Sequence, residues 1–271
     1  TTNFNLFYAH ILKYIIYFRN YHIMAKIIKT ILITGATSGI GKATLKLLAS
    51  KGHKIVFTYN KRLSEAKKLE KNLRKNNEHI YSYKIDLEKH NEIKKLFSFA
   101  VKKLKTIDCL INNAAFFVQR KKFQYLDLDH VKKIMNINYF SVFLLCQLFV
   151  KASKSNREKK KWNSIINISS TEAKFGGVNF THYAPSKAAL ENLTIGLSRE
   201  LAEKKIRVLN VAPGVIDTRK DKNKRILKKV ISEIPNNRLG KAEDVANLLD
   251  FLIDDKSEYI NGTTLTISGG R

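Results

Sequence analysis

Short runs rich in β-branched residues alternate with longer stretches of helical periodicity along most of this chain. Seven runs are predicted strands and six longer stretches are predicted helices. Alternation at this spacing is typical of a parallel sheet covered by helices on both faces. Right-handed crossovers make such a fold doubly wound, with ligands bound at the carboxyl ends of the strands. We therefore predict an α/β fold with a single parallel sheet of about seven strands.

The hydrophobic pattern also predicts where these elements lie. The predicted strands are Ile27–Ile33, Lys54–Tyr59, Ile80–Ile85, Ile107–Ile111, Ser164–Ile168, Arg207–Val211 and Thr263–Ile267. The predicted helices are Ile40–Ser50, Ser64–Lys75, His90–Leu104, Asp129–Ala152, Tyr183–Glu203 and Ala242–Asp254. No internal repeat and no linker rich in Gly or Pro divides the chain, so we expect one domain over residues 24–271.

The first 23 residues differ from the rest. They contain no acidic residue, and Leu6 to Phe18 is apolar but interrupted by one His and one Lys. This stretch lacks a small-residue cleavage site, which argues against a secretory signal. An organelle transit peptide or a helix at a membrane surface is the alternative. We favour an extension at residues 1–23 that is disordered or is not part of the natural protein.

The composition excludes several classes of protein. Two cysteines cannot build a disulfide scaffold or a four-thiolate zinc site. No apolar run reaches the roughly 20 residues of a membrane-spanning helix. The net charge of +27 could attract nucleic acid, but the lysines are spread along the chain instead of being gathered on one element. We expect no metal, no membrane span and no nucleic-acid partner, and we expect a cytoplasmic location.

A glycine-rich turn directly follows the first predicted strand and opens the first helix. It reads TGATSGIG over residues 34–41. Glycine permits a tight turn and lets a pyrophosphate approach the main chain, and the helix directs N–H groups and its positive dipole end at the phosphates. A ligand-free tight turn is the alternative. The predicted cofactor-binding residues in this turn are Gly35, Thr37, Ser38, Gly39, Ile40 and Gly41.

The end of the second predicted strand bears on the choice of dinucleotide. An acid at this point would bind the ribose hydroxyls of NAD and repel an additional phosphate. The chain instead has Asn60, Lys61 and Arg62, with no acid before Glu65. Lys and Arg form charge-assisted hydrogen bonds to a 2′-phosphate. NADP(H) is therefore favoured over NAD(H), chiefly because the acid is missing.

Tyr183 and Lys187 stand four residues apart on a predicted helix and so share one face. A nearby cation favours the phenolate and lowers the pKa of a tyrosine towards neutral pH. The phenol can then donate a proton to a carbonyl oxygen or accept one from an alcohol. In a chain with many lysines, a Tyr and a Lys four residues apart are weak evidence for a catalytic pair. The setting adds weight, because Ser169 and Ser170 stand at the end of the predicted strand that precedes the pair.

In these motifs the sequence resembles the short-chain dehydrogenase/reductases, a family of oxidoreductases with a Rossmann-like fold. The resemblance covers residues 26–271, and its motifs stand in the family's order. They are TGATSGIG (34–41), Asp86-Leu87, NNAA (112–115), Asn138, ISS (168–170), YAPSK (183–187), Pro213-Gly214 with Thr218, RLGKAEDVANLLDFL (238–252) and YINGTTLTISGG (259–270). The resemblance implies hydride transfer between NADP(H) and a small carbonyl or secondary-alcohol substrate, in a homotetramer.

The resemblance also implies roles for single residues. Tyr183 would be the general acid/base, and Lys187 would lower its pKa and hold the nicotinamide ribose. Ser170 would hydrogen-bond the substrate carbonyl. Asn138, or less favourably Asn136, would bind a water that links Lys187 to solvent. Asp86 would contact the adenine, and Asn112 would stabilise the strand beneath the cofactor. The segment Pro213 to Thr218 would border the nicotinamide. The remaining implied cofactor residues are Leu87, Ala114, Pro213, Gly214, Ile216 and Thr218.

The substrate is less well defined than the chemistry. The chain resembles the glucose-dehydrogenase-like members, through residues 196–208 and 259–270, somewhat better than the 3-oxoacyl-carrier-protein reductases. An acyl-carrier-linked substrate is thus the alternative. The rival from another class is a non-catalytic nucleotide sensor or a nucleic-acid-associated protein. Ala115 stands where the family usually has Gly, and its methyl group could crowd the cofactor.

Several residues near these motifs are not assigned to the site. We expect His182 to be a partly exposed neighbour of Tyr183, and Cys109 and Cys146 to be small buried apolar residues. The remaining group follows helical spacing and is expected in the core or in a subunit interface. It comprises Phe140, Phe143, Leu144, Leu148 and Phe149.

Overall fold

The computed structural model of the protein describes residues 27–153, 161–218 and 224–271. Within these ranges seven parallel strands form one sheet in the order β3-β2-β1-β4-β5-β6-β7. The strands are β1 Thr30–Ile33, β2 Lys54–Tyr59, β3 Ile80–Lys84, β4 Cys109–Asn112, β5 Asn163–Ile168, β6 Ile206–Pro213 and β7 Thr264–Ile267. The predicted doubly wound α/β fold is confirmed. The expected extension at residues 1–23 lies outside the described residues.

Nine α-helices are described in these ranges. They are α1 Gly39–Ser50, α2 Leu63–Arg74, α3 His90–Leu104, α4 Leu128–Met135, α5 Ser141–Ala152, α6 Glu172–Phe175, α7 Ala184–Glu200, α8 Lys224–Ser232 and α9 Ala242–Ile253. A π-helical segment, Asn136–Phe140, joins α4 to α5, so the predicted helix Asp129–Ala152 is continuous but contains an irregular turn. Short 3₁₀ turns lie at Phe123–Tyr125, Ala202–Lys204 and Asp255–Ser257.

Different helices cover the two faces of the sheet. On one face α1 and α9 contribute Leu45 and Leu249 to the core, and on the other α3 and α5 contribute Leu96 and Leu145. The five central strands are rich in aliphatic residues and almost wholly buried, as expected for parallel strands covered on both faces. The order of the strands reverses between β1 and β4, and this reversal opens a crevice at their carboxyl ends.

The rod formed by α4, the π-helical segment and α5 is long and apolar. By length and composition alone it could cross a membrane, and it is the one such helix in the described part of the chain. Val142 and Phe149 are buried in the core beside the sheet, however, which is the environment of a core helix in a globular domain. Phe140 and Phe143 are exposed, so they do not belong to the core of one subunit. The homotetramer remains a prediction.

A row of polar side chains, most of them buried, runs across four neighbouring strands of the sheet. Asn112 on β4 lies in register with Asn167 on β5, which lies in register with Asn210 on β6 and, in turn, with Thr264 on β7. The amide of Asn112 donates to Asn167 Oδ1 over 2.8 Å, and that of Asn210 donates to Thr264 Oγ1 over 3.2 Å. We call these four residues, with Thr194, the amide row.

Thr194 joins the two halves of the amide row. It comes from α7, and its hydroxyl accepts a hydrogen bond from Asn167 Nδ2 at 3.0 Å and donates one to Asn210 Oδ1 at 2.9 Å. All three side chains are fully buried. A buried amide without a partner is costly, so the row penalises any slip of the strand register and any shift of α7 over the sheet.

Replacing Thr194 by Val tests the amide row. Thr194→Val keeps the shape but leaves one amide N–H and one amide oxygen buried without partners. We expect a loss of about 2–4 kcal/mol in the free energy of unfolding, measured by urea titration. Thr194→Ser keeps the hydroxyl and loses only a methyl group, so it is expected to cost about 1 kcal/mol. Equal losses in both variants would show that the hydrogen bonds contribute little.

Candidate active site

The glycine turn between β1 and α1 is built for a close ligand. Gly35 and Gly39 have φ angles of +67° and +51°, in the left-handed region that favours glycine. A Cβ on Gly41 would lie 2.4 Å from Asn113 Nδ2, so only glycine fits there. The Ser38 side chain does not cap α1, which leaves the N–H groups of its first turn open to an anion. This cradle fits a dinucleotide pyrophosphate.

Asn113 holds the glycine turn in place, and the sequence analysis missed it. Its side-chain amide donates to Thr34 O at 2.9 Å and to Gly35 O at 3.0 Å. Thr34 Oγ1 accepts in return from the backbone N–H groups of Asn113 and Ala114. The one sequence signal for Asn113 was its position next to Asn112 in the NNAA motif. Asn112 itself, the predicted residue, belongs to the amide row. Ala115, the departure from the family pattern, is exposed.

The residues expected at the adenosine end lie at the tips of β2 and β3. Asn60, Lys61 and Arg62 are exposed where β2 gives way to α2. Asn60 Nδ2 lies 3.5 Å from Asp86 Oδ1, so these two tips adjoin. The side chain of Leu87 packs into the core. Glu65 pairs with Lys42 of α1, with 2.5 Å between Lys42 Nζ and Glu65 Oε1, and this hydrogen bond lowers the pKa of the carboxyl group.

The segment after β6 returns over the glycine turn. Gly214 packs against Ser268, since a Cβ on Gly214 would lie 2.8 Å from Ser268 Cβ. Ile216 forms a bridge with Gly240. A Cβ on Gly39 would meet Thr218 Cγ2 at 3.1 Å. The predicted cofactor residues of the glycine turn and of the segment Pro213 to Thr218 therefore adjoin in the fold.

Lys187 anchors the start of α7 to the end of β5. Its ammonium donates to Ile168 O over 2.7 Å, it is only 2% exposed, and burial lowers its pKa to about 8. The ammonium lies 5.8 Å from the centre of the Tyr183 ring. Ser169 hydrogen-bonds Glu191 at 2.7 Å, consistent with a structural role, while Ser170 Oγ accepts from Glu172 N at 3.2 Å. The expected serine, tyrosine and lysine thus lie on adjoining segments.

The pKa of Tyr183 is shifted in the direction opposite to the one predicted. Burial raises the pKa of Tyr183, and the negative charge of Glu172 raises it further. The ring stacks on Phe180 with 4.7 Å between ring centres, which removes water from the phenol. Lys187 directs its ammonium at the Ile168 carbonyl. The phenol of Tyr183 is therefore protonated at neutral pH, and it holds its proton more tightly than a free tyrosine does.

Asn138 lies in the π-helical segment and is fully buried. Its Oδ1 accepts from Phe116 N at 2.7 Å, and its Nδ2 donates to Ser186 Oγ at 3.1 Å. Ser186 Oγ in turn donates to Tyr183 O at 2.7 Å. The irregular turn thereby ties the loop after β4 to the start of α7. The predicted water link from Asn138 to Lys187 stays a prediction.

Three residues outside the predicted site, His182, Cys109 and Cys146, are all buried. His182 is buried, not partly exposed as expected, because its ring packs beside Phe180 and Nε2 bonds to Gln119 O at 3.2 Å. Burial lowers its pKa. Cys109 and Cys146 are buried as expected, and burial raises their pKa values to about 11 and about 12. In the described ranges no group of three or more His, Cys, Asp or Glu could hold a metal ion.

Comparison with known proteins identifies the family. A family model described as enoyl-(acyl carrier protein) reductase matches residues 35–271. The chain is 33% identical over 255 residues to the 3-oxoacyl-[acyl-carrier-protein] reductase FabG of Thermotoga maritima, covering 89% of this chain and 97% of that protein. It is 32% identical to the 7alpha-hydroxysteroid dehydrogenase of Escherichia coli, covering 89% and 93%.

The chain belongs to the short-chain dehydrogenase/reductase family. Its fold agrees with that of a Burkholderia cenocepacia short-chain dehydrogenase in complex with NADP, at a TM-score of 0.81 and 28% identity, over 89% of this chain and 97% of that one. A Brucella melitensis 3-ketoacyl-(acyl-carrier-protein) reductase complexed with NADH gives a TM-score of 0.81 and 27% identity, over 90% and 98%. As a short-chain dehydrogenase/reductase, the protein is an oxidoreductase acting on hydroxyl or carbonyl groups.

Gly41 and Gly196 give a matched test of the dinucleotide cradle, since both lie in helices. Alanine in a helix is ordinarily about 1 kcal/mol better than glycine. A Cβ on Gly196 would meet nothing within 4 Å, so Gly196→Ala is expected to be neutral or stabilising. Gly41→Ala must displace Asn113 and the glycine turn. We expect it to lower the affinity for NADPH by roughly tenfold or more, measured by fluorescence titration. Equal affinities in the two variants would contradict the cradle.

Proposed function

We propose that this enzyme transfers a hydride between NADP(H) and a carbonyl or secondary-alcohol substrate, with Tyr183 as the general acid/base. The observation that supports the proposal is the position of the Lys187 ammonium, which lies 5.8 Å from the centre of the Tyr183 ring and bonds Ile168 O at the end of β5, two residues before Ser170. Asn138 supports the same corner of the sheet through Ser186. A nucleotide-binding protein without catalysis has no use for a buried phenol and ammonium at this edge.

The chain's own residues divide the work of carbonyl reduction. When bound, the nicotinamide supplies the hydride. Tyr183 donates its proton to the carbonyl oxygen, and the Ser170 hydroxyl donates a hydrogen bond to the same oxygen as negative charge develops there. Lys187, beside the ring, stabilises the phenolate that remains. In alcohol oxidation the phenolate takes the proton, so that direction should become faster as the pH rises.

Tyr183→Phe tests the role of the phenol. The variant removes one hydroxyl, keeps the ring stack with Phe180, and leaves no proton for the carbonyl oxygen. We expect NADPH-dependent reduction to fall roughly 100- to 10,000-fold, while NADPH affinity stays within a few-fold. The assay follows NADPH absorbance with a panel of ketones, aldehydes, sugars and 3-oxoacyl thioesters. Retained turnover would remove Tyr183 from the mechanism.

The preference for NADP(H) over NAD(H) rests on the tip of β2. Lys61 and Arg62 are exposed there, and Arg62 directly precedes α2. The carboxylate of Glu65 is already paired with Lys42, so its charge is partly neutralised. Guanidinium and ammonium groups at this tip suit the 2′-phosphate that distinguishes NADP from NAD.

Replacing both Lys61 and Arg62 by Ala tests this preference. We expect NADPH affinity to fall roughly 10- to 100-fold, because two charge-assisted hydrogen bonds to the phosphate are lost. NADH affinity should change less than about threefold. Lys71→Ala, which removes an exposed lysine on the far part of α2, serves as the control. A parallel loss for both nucleotides, measured by titration calorimetry, would refute the assignment.

A 3-oxoacyl group linked to an acyl carrier protein is the second candidate substrate. Several relatives carry that activity in their names, among them the Thermotoga maritima protein. Lys121 and Lys122, in the loop after β4, and Lys174 on α6 are exposed on segments that flank Tyr183, and they could meet an acidic carrier. The same substrate panel separates this candidate from a free sugar or ketone.

A further inference from the structure

Two segments meet beside Tyr183 and are joined by one ion pair. Arg120 lies in the loop after β4, and Glu172 begins α6 after β5. Arg120 Nη2 lies 2.5 Å from Glu172 Oε1, and Arg120 Nη1 donates to Val178 O at 2.6 Å. A backbone hydrogen bond from Lys121 N to Asn179 O, 2.8 Å, runs parallel to them. We call Arg120 and Glu172 the clasp.

The clasp reaches Tyr183 through an aromatic ring. The guanidinium carbon of Arg120 lies 4.8 Å from the centre of the Phe180 ring. Phe180 stacks on Tyr183 with 4.7 Å between ring centres and 26° between ring planes. Arg120 and Tyr183 thus both pack on Phe180, and Phe117 contacts both aromatic rings edge-on at 5.6 Å. Through Phe180, Arg120 is linked to the orientation of the phenol ring.

Glu172 reaches the site by a second route. Its backbone N–H donates to Ser170 Oγ at 3.2 Å, so the residue that pairs with Arg120 also orients the serine hydroxyl. Its carboxylate is mostly buried, and its negative charge acts on Tyr183. The adjoining Gly177 has a φ of +52°, and a Cβ there would lie 2.1 Å from Glu172 Oε2. The local backbone thus leaves room for this carboxylate.

We propose that the clasp is a positioning device for proton transfer, in which Arg120 and Glu172 together set the orientation of Tyr183 and Ser170 towards the substrate. The proposal rests on the proposed function, since it assigns the two residues to the reaction of Tyr183. It goes beyond that function because neither residue belongs to the motifs that indicate the chemistry. Neither touches the reacting atoms, so both act through their neighbours.

The charges around Tyr183 make the clasp testable by pH. Glu172 faces it from α6, Arg120 from behind Phe180, and Lys187 from its own helix. His182 precedes it in the chain, with His130 of α4 packed 6.1 Å from the His182 ring. A carboxylate disfavours the phenolate, so removing it should let Tyr183 lose its proton at lower pH; removing the cation should do the opposite.

The experiment compares pH profiles of kcat for carbonyl reduction in the full chain. We expect Glu172→Gln to move the alkaline limb to lower pH by roughly 0.5–1 unit and Arg120→Met to move it to higher pH. Arg120→Lys keeps the charge but loses the planar stack, so it should lower kcat with little movement of the limb. Asp250→Asn, which breaks the ion pair with Lys51 between α1 and α9, is the control and should leave the profile unchanged.

A second readout does not need turnover. The absorbance of the phenolate is titrated with pH in a chain with Tyr183 and in the matching Tyr183→Phe chain. The difference between the two curves reports the ionisation of Tyr183 alone. If no carbonyl is reduced, the proposed function fails, yet this titration still decides whether Glu172→Gln and Arg120→Met shift Tyr183 in opposite directions. Lower kcat with an unmoved limb and an unmoved titration in both variants would overturn the clasp and leave a purely structural ion pair.

Discussion

The amide row fixes the geometry on which the rest of the site depends. Parallel strands with continuous apolar faces carry little information about register, because a slip replaces one aliphatic side chain by another. Asn112, Asn167 and Asn210 reduce that freedom, since Asn112 bonds Asn167 at the same step of the sheet and Thr194 bridges Asn167 to Asn210. Thr194 extends the constraint to α7, the helix that carries Lys187. Polar groups in the core thus determine where the site residues stand.

The sequence predicted the main elements because their periodicity is strong. The bounds of β2 and α3 are those predicted, and the other predicted elements differ by a few residues at their ends. The π-helical segment Asn136–Phe140 was missed because a single irregular turn leaves the apolar spacing of a helix intact. The four-residue α6 is too short for periodicity. Helix α8 was not among the predicted helices, because its many lysines mask the apolar pattern.

The predicted site residues were found through motifs, and the missed ones have none. Asn113 works by bonding backbone oxygens of the glycine turn, which are distant in the chain. Arg120 and Glu172 meet only because the segments after β4 and β5 adjoin at the carboxyl ends of these two strands. The direction in which the pKa of Tyr183 is shifted also could not be predicted from its spacing to Lys187. That direction depends on burial and on the carboxylate of Glu172, which comes from another segment.

Burial and the charges around Tyr183 set the cost of the proposed proton transfer. Burial disfavours the charged form of both partners, so it raises the pKa of Tyr183 and lowers that of Lys187 to about 8. The phenol is therefore present in the protonated form that the proposed reduction needs, but it is a weaker acid than a free tyrosine. Once the proton has left, the phenolate and the ammonium form a buried pair, and each charge then stabilises the other. In the proposed reaction the buried ammonium would therefore offset part of the cost of forming the phenolate.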